Sequence, residues 1–147
     1  MSLANRAVDE TAEFLHVALL WLFLNPAFGP VAVAVSALPL SPSPLAGQEG
    51  LIAAFLTVCG VAVIRFYDPS WDLVRAFVAG GATASGFLAL YVLSGADDAV
   101  PAGGSWAAFG RVVAYWLVAL GVGVALAHPR TWRRLRRAVA VEERTSD

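Results

Sequence analysis

The sequence predicts an all-α integral membrane protein. The expected form is a four-transmembrane-helix bundle with both termini cytoplasmic, followed by a short basic interfacial C-terminal helix. Three observations predict it. Hydrophobic residues make up 59% of the 147 and charged residues only 14%, against about 45–50% and about 25% in soluble domains. Four apolar stretches of membrane length alternate with connections rich in proline, glycine and serine. Basic residues are also segregated: five of the ten lie between Arg130 and Arg137, although the net charge is only −1. The bundle is assigned to residues 1–128 and the basic amphipathic tail to 129–147.

The first span is placed at 14–38. It follows MSLANRAVDETAE, which carries one arginine and three acids and lacks the pattern of a secretory signal. Twenty-five residues at about 1.5 Å each exceed the roughly 30 Å hydrocarbon core. The run is interrupted by Asn25-Pro26 and Gly29-Pro30. Each proline removes a backbone donor and crowds the preceding turn, so a bent but continuous helix is expected. The alternative is a re-entrant pair of half-helices. That would require the freed carbonyls to be covered by protein or a water cavity, and would make Asn25 a pore residue.

Residues 39–50, PLSPSPLAGQEG, cannot continue a helix and form a loop. The second span, 51–67, carries Ala53, Thr57 and Gly60 on one face, a small-residue stripe suited to close helix contact. Asp68 is expected to cap the following helix, with Pro69 at its first position. The third span, 73–93, has the centre AGGATASG, with the pairs Ala82/Gly86 and Gly81/Ser85. Small residues on most of its circumference predict a central place in the bundle. After a polar loop at 94–105 the fourth span runs 106–127, with Ala114, Gly121 and Ala125 as its small face.

Orientation follows from the arginines. Arg6, Arg65, Arg75 and the six from Arg130 to Arg144 fall on one side, and the two opposite loops hold none. Nine against zero places both termini in the cytoplasm. The absence of lysine beside abundant Ala, Val, Gly and Arg is the residue usage of a GC-rich, prokaryotic genome.

Few residues are candidates for chemistry. Arg111 lies five residues inside Trp106, roughly 7 Å along the helix. It either snorkels to the headgroups or, with Asn25, forms an intramembrane polar site for transport. Asp97 and Asp98 are its nearest expected counter-ions. Glu13 and His16 belong at the membrane interface. Small multidrug-resistance transporters also have four spans, with an essential glutamate in the first, but Glu13 precedes the apolar run. Asp72 and Arg75 have the spacing of a helical ion pair in a charge-balanced turn with Arg65 and Asp68. His16 and His128 lack a metal-site motif, and Cys59 is the only cysteine.

From Pro129 to Val141 the chain is expected to form an in-plane helix. Trp132, Leu135, Ala138 and Val139 share its apolar stripe. Arg130, Arg133, Arg134, Arg136 and Arg137, together with Trp132, are expected to anchor it on anionic headgroups. No catalytic pair, phosphate loop or cofactor motif is present in the sequence, and nucleic-acid binding is not expected. The leading expectation is a non-catalytic subunit or scaffold that associates with itself or with other membrane proteins. The second is a small oligomeric transporter or channel using Arg111 and the Asn25-Pro26 kink.

Overall fold

The computed structural model describes residues 3–40, 45, 47–69, 71–95 and 104–131. Among these there are five helices and no strand: α1 (Leu3–Phe28), α2 (Pro30–Ser36), α3 (Glu49–Tyr67), α4 (Leu73–Leu93) and α5 (Trp106–Ala127). Four segments are long and apolar enough to cross a membrane: Val8–Phe28 within α1, then α3, α4 and α5. The chain is a multi-pass membrane protein by this measure. The bounds of α4 and α5 match the expected third and fourth spans, while α3 begins two residues before position 51.

The first span differs most from expectation. α1 starts at Leu3, so the acidic segment holding Asp9, Glu10 and Glu13 is already helical before the apolar run begins. Pro26 lies inside α1, and the helical ladder breaks one turn later at Gly29-Pro30. Gly29 keeps right-handed helical dihedrals (φ −50°, ψ −41°), and Ala32 N–H donates to Gly29 O in a tighter turn. The two helices are therefore one bent span. Packing agrees: Leu20 and Leu24 cluster with Ala76 and Ala79 near the start of α4, whereas Ala34 and Ala37 cluster with Phe87 near its end. A re-entrant hairpin would have returned α2 to the level of Leu20.

The bend leaves the Ala27 carbonyl short of its usual donor, because Val31 lies across the break. Trp116 of α5 donates its indole N–H to Ala27 O at 2.7 Å. In hydrocarbon an unsatisfied carbonyl is strongly unfavourable, so this bond makes the kink tenable. The Phe28 ring meets Trp116 edge-on at 6.1 Å and fits over Gly60 of α3, where a Cβ would touch it at 3.0 Å.

These contacts let the bent first span share the centre of the bundle with the third. α1 packs on α3 and α4, and past the bend α2 packs on α3 and α5. α4 packs chiefly on α1 and α5. The expected central place of the third span is met, since α4 is the most buried of the four spans. A helix small on most sides can close on any neighbour, and the bent first span reaches more of them.

The small-residue faces also shift. On α3, Ala53 and Thr57 are buried as expected, joined by Val61. On α4 the buried set is Ala76, Ala79, Gly80 and Thr83, while Gly81 faces open space and Ser85 is exposed. Gly80 lets α1 approach until its Cα faces the Phe23 carbonyl, a place no Cβ fits. On α5 the buried positions are Ala108, Val112, Ala119, Gly123 and Ala127, and the expected face of Ala114, Gly121 and Ala125 points outward.

The cap of α4 is corrected as well. Asp72 adopts the extended conformation of an N-cap (φ −92°, ψ 164°), and its Oδ1 accepts from Arg75 N–H at 2.7 Å. Asp68 instead ends α3, with its N–H bonded to Ile64 O. At the other end of the bundle Ser105 caps α5 by accepting from Ala108 N–H. Its own N–H donates to Ala37 O, which ties the start of α5 to the end of α2.

Candidate functional site

Among the described residues the densest polar cluster forms where α3, α4 and α5 meet at one end of the bundle, around Arg75. This side chain is only 6% exposed. Its Nε–H donates to Ala127 O at 2.9 Å, and its Nη2 donates to Asp68 Oδ2 at 3.2 Å. The guanidinium also lies over the Trp71 ring, 5.1 Å from its centroid. Three elements produce the arrangement. Asp72 starts α4 so that Arg75 sits in its first turn, Asp68 closes α3 nearby, and α5 ends with a carbonyl that has no helical donor left. The negative end of the α5 dipole favours a cation there. The expected Asp72–Arg75 contact exists, but as a backbone cap rather than a charge pair. The guanidinium goes to Asp68 and Ala127.

A second polar contact lies nearby on the outer surface. Arg65, in the last turn of α3, bonds Glu13 of α1 at 2.7 Å, with side chains 32% and 68% exposed. A pair so exposed contributes about 0–1 kcal/mol, so it fixes position more than it stabilises. Below it, a groove of about 420 Å³ runs between α1 and α3, lined by Phe14, Val17, Trp21, Val58, Ala62 and Arg65 among others. Trp21 donates its indole N–H to Ala54 O at 3.4 Å, which holds the ring against α3.

Among the described residues mid-bundle polarity lies in packing contacts. Thr57 Oγ1 lies 2.8 Å from Ala53 O and 3.2 Å from Asn25 Oδ1, and shares its one hydrogen between them. Thr83 donates to Ala79 O at 2.7 Å. Asn25 is thus a half-buried partner of Thr57. Arg111 is exposed on the outer flank of α5 and makes no hydrogen bond or ion pair with a described residue. The structure does not bring Arg111 and Asn25 into one site, and neither lines the α1–α3 groove. Asp97 and Asp98 lie outside the described residues, as do Trp132, Arg133, Arg134, Arg136 and Arg137 of the expected interfacial helix. Residues 129–131 are helical, and Arg130 is exposed. Among the described residues no three His, Cys, Asp or Glu side chains converge on a point.

No known protein family, curated protein or solved structure matches this chain. The buried role of Arg75 had a signal in the sequence: Trp71, Asp72 and Asp68 stand four, three and seven residues before it. The indole bonds of Trp21 and Trp116 had none, since their partners are 33 and 89 residues away.

Proposed function

We propose that the chain is a non-catalytic component of the cell membrane, a subunit or scaffold that associates with copies of itself or with another membrane protein. One observation carries this reading. The outward face of α5 presents Ala114, Gly121 and Ala125, and a Cβ on Gly121 would meet nothing. Small residues in lipid allow a second helix backbone to approach closely, and this face is not used inside the bundle. The polar side chains of the interior, Thr57, Thr83 and Arg75, are engaged with neighbouring helices or their own backbone.

Both termini are assigned to the cytoplasm. Arg65, Arg75 and Arg130 stand at the end of the bundle where α5 finishes, and the arginine bias of nine against zero favours that side. The basic residues after Arg130 would meet anionic headgroups there, each worth about 1 kcal/mol before screening. No structural observation favours transport through Arg111 and Asn25.

Fluorescence energy transfer between labelled full-length chains in vesicles tests association. Transfer should exceed random collision and persist on dilution with lipid. Gly121→Leu combined with Ala125→Leu should abolish it at unchanged helicity, if the partner is a second copy. Co-purification from native membranes, lost in the same variant, reports a different partner. Random-level transfer together with no variant-sensitive companion would overturn the proposal.

A further inference from the structure

We propose that the groove between α1 and α3 binds one phospholipid, with an acyl chain along Trp21 and a zwitterionic, ammonium-bearing headgroup on the Arg65–Glu13 pair. This inference does not depend on the subunit reading. It rests on where the groove lies, what lines it and which charges close its end.

The groove runs from Arg65 at the bundle end, past Phe14, Val17 and Ala62, to Val58 and Trp21. The seven-residue step from Phe14 to Trp21 corresponds to about 10 Å of helix, which takes it from headgroup level into the hydrocarbon. Its volume of about 420 Å³ falls within the usual range for small-ligand sites, about 300–1,000 Å³. Among the described residues Arg65 is the single charged one of the lining. At this depth in a bilayer the available apolar occupant is a lipid chain. The Trp21–Ala54 bond keeps the far wall in place.

The headgroup is selected by charge. Arg65 is a planar donor that matches a phosphate, and it lies partly exposed at the mouth. Glu13 is bound to it at 2.7 Å and is the more exposed of the two. A headgroup with a phosphate and no ammonium would set that phosphate beside the Glu13 carboxylate, with Arg65 as one cation between two anions. A primary ammonium on the same headgroup removes that conflict, because phosphate accepts from Arg65 while ammonium donates to Glu13. A choline headgroup carries the same charges but has no N–H to donate.

The test uses the full chain in phosphatidylcholine vesicles with a trace of phosphatidylethanolamine bearing a photoreactive acyl chain. Crosslinks are mapped by peptide mass spectrometry. Labelling should concentrate on 14–21 and 58–65, and unlabelled phosphatidylethanolamine should compete at least fivefold better than phosphatidylcholine or phosphatidylglycerol. Ala62→Phe, at an exposed lining position, should remove the focused labelling. Glu13→Gln should keep the labelling and bring phosphatidylglycerol level with phosphatidylethanolamine as a competitor. Labelling spread evenly over the lipid-facing helices, or equal competition by all three lipids against the native chain, would overturn the proposal. So would labelling confined elsewhere, including the case in which another part of the chain fills the groove.

Discussion

Arg75 and Arg111 are both arginines within the first turns of an apolar helix, and they are accommodated in opposite ways. Arg75 is buried among Asp68, Trp71 and the Ala127 carbonyl, so its charge is met by protein at the junction of three helices. Arg111 lies on the outer flank of α5, with no bonded partner among the described residues. The difference lies in their neighbours. Arg75 follows an aromatic, a capping acid and a second acid within seven residues. Arg111 has Ala107, Ala108, Ala114 and Tyr115 at helical spacing and no acid. A charged side chain near a membrane surface either finds a built pocket or extends along its apolar stem to headgroups and water. One arginine is bonded to neighbouring helices, and removal of the other is expected to have little structural consequence.

The strongest way to break this comparison is Arg75→Met. The substitution keeps an apolar stem but removes two hydrogen bonds and the contact with Trp71. Removing one member of a buried ion pair costs about 3–5 kcal/mol. Asp68 is 37% exposed and can rehydrate, which places the expected loss near the low end, about 3 kcal/mol. Unfolding of the purified chain in mixed micelles, followed by tryptophan fluorescence, measures it. An unchanged midpoint would mean that the Arg75 cluster contributes nothing to holding α3, α4 and α5 together.

A smaller effect is expected one turn earlier. Asp72→Ala removes the acceptor of the Arg75 N–H while leaving the guanidinium contacts available. Loss of an N-cap costs about 1 kcal/mol. The same unfolding assay should show about a third of the Arg75→Met shift. A loss as large as that of Arg75→Met would indicate that the cap, by placing Arg75, controls the whole cluster.

This hierarchy bears on how much of the molecule was legible in the sequence. The bounds of α4 and α5 were readable because hydropathy and chain punctuation coincide there, with Asp72 and Ser105 standing immediately before the apolar runs. The start of α1 was not, since hydropathy marks the apolar run from Phe14 rather than where the helix begins, and Asp9 and Glu13 lie in helix before that run. Faces were harder still. On α5, Gly121 and Gly123 have equal claims by size, and only the approach of Thr83 and Ala79 shows that Gly123 is the buried one. At the candidate sites, local spacing revealed the acids and the aromatic ring near Arg75. The Arg65–Glu13 pair, the Trp21 wall and the Trp116 bond at the kink all join distant segments, and helical periodicity carries no information about those.

Arg111→Ala gives the smallest expected change and the sharpest test of the contrast. The side chain makes no bond to a described residue and is exposed, so the substitution should shift unfolding by no more than about 0.5 kcal/mol, the range of ordinary surface changes. The loss of charge should act at the membrane surface instead. Arg111 lies one to two turns inside the start of α5, about 7 Å from Trp106, within reach of headgroups by extension of its stem. A spin label or environment-sensitive dye at the neighbouring exposed Ala107 should therefore report a slightly deeper helix end in the variant, with helicity unchanged. If Arg111 instead served an internal path, the same substitution would alter ion or solute flux across reconstituted vesicles while leaving the depth of Ala107 unaffected. That result would move Arg111 from the lipid-facing class to the protein-facing class of Arg75, and would put transport ahead of the subunit reading.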